Sequence, residues 1–200
     1  MEKIEFYPNI GRRCAQTVIK SVVGGSSLSL NELDEITGRK TSQITHPIQV
    51  AYGLLKLGAE FIYPVKPYFL NFSAEDLQEA IKRQFGEENS RRSNMDFVSF
   101  AREEIEKGQD YSLVKSFSVE DLANYIDKGR AVIALIDYDL FVGREDKKRG
   151  HYLIVHSKEG DKLVVMDPGP CDASPNKTIS LRRLEDSLMQ TPIDYGAIII

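Results

Sequence analysis

The chain has only two cysteines in 200 residues, Cys14 and Cys171. Two thiols make no disulfide framework, and in a reducing compartment both are expected to be free. It has no long apolar run. The longest, Ala131 to Ile136, is far too short to cross a bilayer, so no membrane span is expected. The opening Met1-Glu2-Lys3-Ile4-Glu5 has no basic region followed by an apolar stretch. No signal peptide is read there, and the cytoplasm is the expected location. It has no large excess of one charge sign: 26 Lys+Arg against 30 Asp+Glu give a net charge of -4 and a pI near 5.5. That balance argues against a nucleic-acid partner. Internal repeats and low-complexity tracts are lacking too. A phosphate cradle is also missing, because Gly24-Gly25-Ser26-Ser27 follows a helical pattern instead of preceding one. With no CxxC or HxxxH pair, no metal and no cofactor is expected.

What remains is an ordinary globular composition, 42% hydrophobic and 28% charged. It is consistent with one domain over residues 1–200 that buries roughly 70% of its unfolded surface. Ala15, Val18, Ile19 and Val22 fall at helical spacing, which puts Cys14 in the first turn of an amphipathic helix ended by Gly24-Gly25. Ser29 and Glu32 form a capping-box pattern for a second helix, and Pro47 stands in the first turn of a third. Residues 59–65 read as a short strand limited by Pro64 and Pro67. Residues 72–116 are helical and highly charged, with a polar break at 86–93, and read as an insertion or subdomain. Ser118 to Asp121 caps a further helix. A strand is expected from Arg130 to Tyr138, a charged loop from Leu140 to Arg149, and a hairpin of Gly150–Ser157 with Lys162–Met166. Residues 170–177 read as loop, Leu181 to Leu188 as helix and Tyr195 to Ile200 as the last strand. Helices first, then a mostly antiparallel sheet, make an α+β fold.

Three residues stand out by position. Cys14 lies at a helix N-terminus, where the dipole favours the nucleophilic thiolate, and Arg12 and Arg13 push the same way. His151 opens one strand of the hairpin, and Asp167 ends the other. A thiol hydrolase needs these groups together: a base to activate the thiol and an acid to orient the base. Each also has a plain structural use. Cys14 suits a core position, Asp167 before Pro168 suits a turn, and one Cys, one His and one Asp suffice in number for zinc. His156, five residues along the strand, is expected to face the other way and to be structural. His46 is expected at the surface or as a helix cap. Cys171 and the basic run Lys147-Lys148-Arg149 are expected in solvated loops.

Gly11-Arg-Arg-Cys14-Ala-Gln-Thr-Val-Ile-Lys-Ser-Val-Val, Ser-Leu-Asn-Glu-Leu33, Gly150-His-Tyr-Leu-Ile-Val155 and Val-Val-Met-Asp167-Pro168 together resemble the papain-like cysteine peptidases of the bacteriocin-leader-processing (double-glycine peptidase) type. The resemblance covers roughly residues 6–65 and 118–170. It implies a papain-like fold and peptidase activity on a peptide or amide through Cys14, His151 and Asp167. The family's cysteine motif is Cys-Gly-Pro, against Cys14-Ala15-Gln16 here. Its upstream glutamine, which supports the oxyanion, falls on Pro8, and Asn9 beside it is the candidate donor with the Cys14 N–H. An amine acceptor would make the same triad an acyltransferase. The altered cysteine motif favours a different class, a non-catalytic binding module that keeps the fold. Residues 72–116 are expected to shape the cleft or to recruit a protein partner.

Overall fold

The computed structural model describes residues 4–24, 27–67, 69–144, 149–169 and 173–200. Gly25, Lys147, Lys148 and Cys171 lie outside the described residues. Helix α1 (Cys14–Val22) begins with Cys14 itself. Its N-cap, Arg13, makes no side-chain cap, but the Arg13 N–H donates to the Asn9 Oδ1 at 2.7 Å. The expected capping box opens α2 (Leu30–Ile36), with Ser29 and Glu32 satisfying each other's end of the helix. Pro47 starts α3 (Pro47–Lys56), where its missing N–H costs nothing. The apolar faces of the three helices meet in one core containing Val18, Ile19, Leu33, Ile48, Ala51 and Leu54.

The helical segment joins that same core. Leu77 and Ile81 from α4 (Ala74–Phe85), and Val98, Ala101 and Ile105 from α6 (Met95–Gly108), are buried against it. The polar break expected between them is instead a short helix, α5 (Glu87–Arg91). Gly86, at φ 88°, turns the chain there, and Lys82 bridges to Glu87 at 2.8 Å. The strand expected over residues 59–65 shrinks to β1 (Pro64–Val65), paired in parallel with β2 (Ser112–Leu113). Pro64 and Pro67 have no N–H for a longer ladder.

After α7 (Val119–Asp127) come β3 (Val132–Asp137), α8 (Tyr138–Phe141), β4 (Gly150–Glu159), β5 (Lys162–Asp167), β6 (Ser174–Ser180), α9 (Leu181–Ser187) and β7 (Ala197–Ile199). The five strands form an antiparallel sheet in the order β6-β5-β4-β3-β7. Side chains alternate across it. Tyr152 and Ile154 of β4 face the core described above, while Leu153 and Val155 face a second core under α7, α8 and α9. Both faces are therefore covered, and the fold is α+β.

Two boundaries differ from the sequence reading. The strand expected to reach Tyr138 stops at Asp137, because the Asp137 Oδ1 accepts from the N–H groups of Asp139 and Leu140 and so starts α8. Residues 174–177, read as loop, belong to β6. As an edge strand carrying Pro175, β6 shows little apolar alternation for a sequence reading to find.

Candidate active site

Three elements converge on one place. Helix α1 presents Cys14 half-buried at its first turn. Strand β4 presents His151 just inside its first residue, and β5 ends on Asp167. The hairpin brings the last two together: His151 Nε2 lies 2.8 Å from Asp167 Oδ1. That oxygen also accepts from the Gly169 N–H at 2.9 Å. The carboxylate thus holds Nε2, which leaves Nδ1 as the ring nitrogen for a second partner. The Cys14 thiol and the His151 ring lie near enough to shift each other's proton affinity.

The electrostatics follow from these contacts. Burial opposes a Cys14 thiolate, but the hydrogen bond and charge of His151, with the N–H groups of Tyr152 and Ala15, outweigh it and lower the thiol below its ordinary value. Burial likewise opposes a charged His151, yet hydrogen bonds and charges from Asp167 and Cys14 raise it to about 9. Burial pushes the Asp167 carboxyl up, and His151, the Gly169 N–H and Lys177 more than reverse this. The helix dipole at Cys14 acts in the same direction. Together the three groups favour a thiolate beside an imidazolium, the form in which a cysteine is nucleophilic.

Asn9 sits at the base of the site, but its amide is engaged. Oδ1 accepts from the Arg13 N–H, Nδ2 lies 3.4 Å from the Gly169 carbonyl, and the Asn9 N–H donates to the Pro168 carbonyl at 2.8 Å. It ties the loop before α1 to the turn after Asp167. Gln16 points away from the thiol, into the core, where Nε2 donates to the hydroxyls of Thr37 and Thr45. His156 sits in a β-bulge between Val155 and Ser157 and reaches the Pro175 carbonyl at 3.2 Å. His46 caps α3 but is buried rather than at the surface, with Nε2 2.9 Å from Ser93 Oγ. Burial pushes its imidazole down to about 4. Among the described residues no three His, Cys, Asp or Glu side chains are grouped as ligands for a metal. No described helix is long and apolar enough to cross a membrane.

Sequence reasoning missed Tyr138, Lys177 and Asp194 as neighbours of the site, and read Arg149 as part of a solvated basic loop beside His151. Tyr138 packs on His151, and Arg149 lies over Tyr138, 5.4 Å from its ring centroid, while pairing with Asp139. Lys177 of β6 lies 3.7 Å from Asp167 Oδ2. A buried acid, Asp194, acts on Tyr152 by its charge and accepts from the Tyr63 hydroxyl at 2.7 Å and the Gly196 N–H at 2.7 Å. Burial raises the Asp194 carboxyl despite these bonds. Nothing in the spacing of these residues marks them.

The peptidase domain of Streptococcus ComA, a bi-functional ABC transporter involved in a quorum sensing pathway, is similar over 98% of this chain and 96% of its own, at 16% identity and a TM-score of 0.49. The peptidase domain of Streptococcus mutans ComA is similar over 98% and 96%, at 14% identity and a TM-score of 0.43. No curated protein matches the chain. Residues 67–190, more than half of the chain, match the Peptidase_C39 like family. The matched stretch contains His151 and Asp167, and Cys14 precedes it. On that match the helices and the antiparallel sheet are a papain-like cysteine peptidase fold, and the chain belongs to the Peptidase_C39 like family.

Proposed function

We propose that the protein is a thiol-dependent hydrolase of peptides or amides, with Cys14 as nucleophile, His151 as base and acid, and Asp167 as the group that orients His151. The observation that carries this reading is the His151 ring, bonded to Asp167 through Nε2 and coupled electrostatically to the Cys14 thiol at the head of α1. The Cys14 sulfur attacks the carbonyl carbon of the substrate, and the carbonyl electron pair moves onto oxygen. The Cys14 N–H, one of the unpaired donors of the first helical turn, and an N–H of Asn9 are the donors for that oxyanion. As the intermediate collapses, the C–N bond breaks and the His151 proton goes to the leaving amine. A thioester remains. His151, now neutral, takes a proton from water as it attacks the thioester, the acid departs, and the thiolate and imidazolium return.

Alkylation by iodoacetamide tests this reading, with modification of Cys14 followed by mass on its own peptide. A Cys14 that reacts well below the ordinary thiol range, and that loses this reactivity in His151→Ala, is the expected result. A rate that rises only as a free thiol ionises, unchanged by His151→Ala, overturns it. A second reading, a binding module on the same fold, draws support from the side-chain amides on either side of Cys14: Gln16 is turned to Thr37 and Thr45, and Asn9 keeps only one amide N–H beyond its contact with the Gly169 carbonyl. It predicts a reactive thiol that hydrolyses nothing in a mixed peptide library.

A further inference from the structure

Asp167 is held by one of its two oxygens. Oδ1 takes both hydrogen bonds, from His151 and from the Gly169 N–H. Oδ2 is buried and accepts none among the described residues. An unpartnered buried carboxylate oxygen is costly, and a nearby cation reduces that cost. The cation facing Oδ2 is Lys177, with Nζ 3.7 Å away. The Lys177 ammonium also lies 5.2 Å from the centroid of the Phe141 ring.

The sheet explains the alignment. His151 shares a face with Leu153 and Val155 on β4, Asp167 with Leu163 and Val165 on β5, and Lys177 with Ile179 on β6. All five of these apolar residues belong to the core under α7, α8 and α9. Three neighbouring strands therefore each project one charged group from the same face. Lys177 pairs directly with Val165, and the register shifts just beyond, where Asp167 pairs with Ser174.

We propose that Lys177 is a positioning residue of this site, whose ammonium neutralises the second oxygen of Asp167 and completes an alternating row of thiolate, imidazolium, carboxylate and ammonium from α1 to β6. The proposal rests on the Cys14–His151 reading above. Three charges leave the row net negative in a buried place, and the fourth brings it to zero. The other charged groups nearby have their own partners: Arg149 pairs with Asp139, Asp137 caps α8, and Asp194 accepts from the Tyr63 hydroxyl and the Gly196 N–H. Lys177 makes each proton of the row easier to lose. Its removal raises the affinity of Cys14, His151 and Asp167 for protons together.

The test is the alkylation rate of Cys14 in the full chain from about pH 4 to about pH 10, which spans the ordinary carboxyl, imidazole and thiol values. The profile has two steps: a lower one where the thiolate–imidazolium pair forms, and an upper one where His151 loses its proton. Lys177→Met keeps the apolar stem, and both steps are expected to move up by roughly half a pH unit, as for one charge partly screened by solvent. Lys177→Arg restores them. A purely structural role would change stability and leave both steps in place. Should Lys177→Met fail to fold, Lys177→Gln keeps a polar tip and makes the same measurement. Coincident profiles for the neutral variant and the wild type, with the His151-dependent lower step intact, overturn the role of Lys177 alone. A wild-type profile with no lower step overturns the Cys14–His151 pair and Lys177 with it.

Discussion

Tyr138 meets His151 edge to face, with ring centroids 5.2 Å apart and planes at 71°. The contact exists because Asp137 ends β3 and starts α8 at the next residue. The Tyr138 ring then lies against the imidazole that Asp167 holds from its Nε2 side, and aromatic pairs of this geometry resist rotation of either ring.

Removing that wall should loosen His151 without touching the thiol. Tyr138→Ala is expected to slow alkylation of Cys14 at about pH 6 by about tenfold, within the range that misplacing a reacting group costs. Tyr138→Phe keeps the ring and should keep most of the rate.

Stability should peak near neutral pH and fall on both sides. Burial pushes His46 down to about 4 from the ordinary 6.5. Between those values the unfolded chain binds a proton that the folded chain refuses, so stability falls as pH drops. Each unit of separation is worth about 1.4 kcal/mol, which gives a loss of about 3 kcal/mol by pH 4. His151 has the opposite sign. Raised to about 9, it contributes stability in full below 6.5 that is lost as pH rises toward 9, and the lowered Cys14 thiol, with the reverse sign, offsets part of that loss. Thermal melting across pH checks this. His46→Gln should flatten the acid side, and His151→Gln the alkaline side.

Asn9→Ala separates two roles. The loss of its bonds to Arg13 and Gly169 should cost about 1 kcal/mol in urea unfolding, the size of a lost helix cap. Hydrolysis of a peptide substrate should fall by about 100-fold or more if Asn9 also serves the oxyanion. Alkylation forms no oxyanion and should then change by less than about twofold. Equal losses in both assays would assign Asn9 to placing α1 only.

Gly196 is a backbone requirement. Its φ is 66°, and a Cβ there would overlap the Met189 carbonyl oxygen. The Gly196 carbonyl accepts from the Leu135 N–H at 2.7 Å, and the Met189 N–H donates to the Leu135 carbonyl at 2.8 Å. Gly196→Ala is expected to cost at least about 2 kcal/mol in unfolding free energy, from the strained φ and the displaced strand together.

The parts of the site that local signals specify were legible in the sequence. Cys14 precedes a helical periodicity, and His151 and Asp167 bracket a hairpin whose turn is marked by Gly160, at φ 63°. The parts set by tertiary packing were not. Tyr138 continues an apolar run and reads as strand, and only the side chain of Asp137 turns it into a helix start. Lys177 lies in Ser-Pro-Asn-Lys-Thr, which carries no periodic signal because β6 is an edge strand. His46 reads as polar and therefore exposed, yet Leu77 and Ile81 of α4 and Val98 of α6 surround it, and Ser93 meets its Nε2. The short helix at 87–91 has no apolar stripe, and its polar side chains are met by ion pairs such as Lys82–Glu87.

The cysteine and the imidazole that lowers its thiol come from distant parts of the polypeptide. A ribosome releases the first long before the second exists, so a chain still being made, or one unravelled by heat, carries an ordinary sluggish sulfhydryl. Reactivity at mildly acidic pH is thus an assembly signal: it reports that β4 and α1 have docked, and it should vanish in step with the cooperative loss of structure.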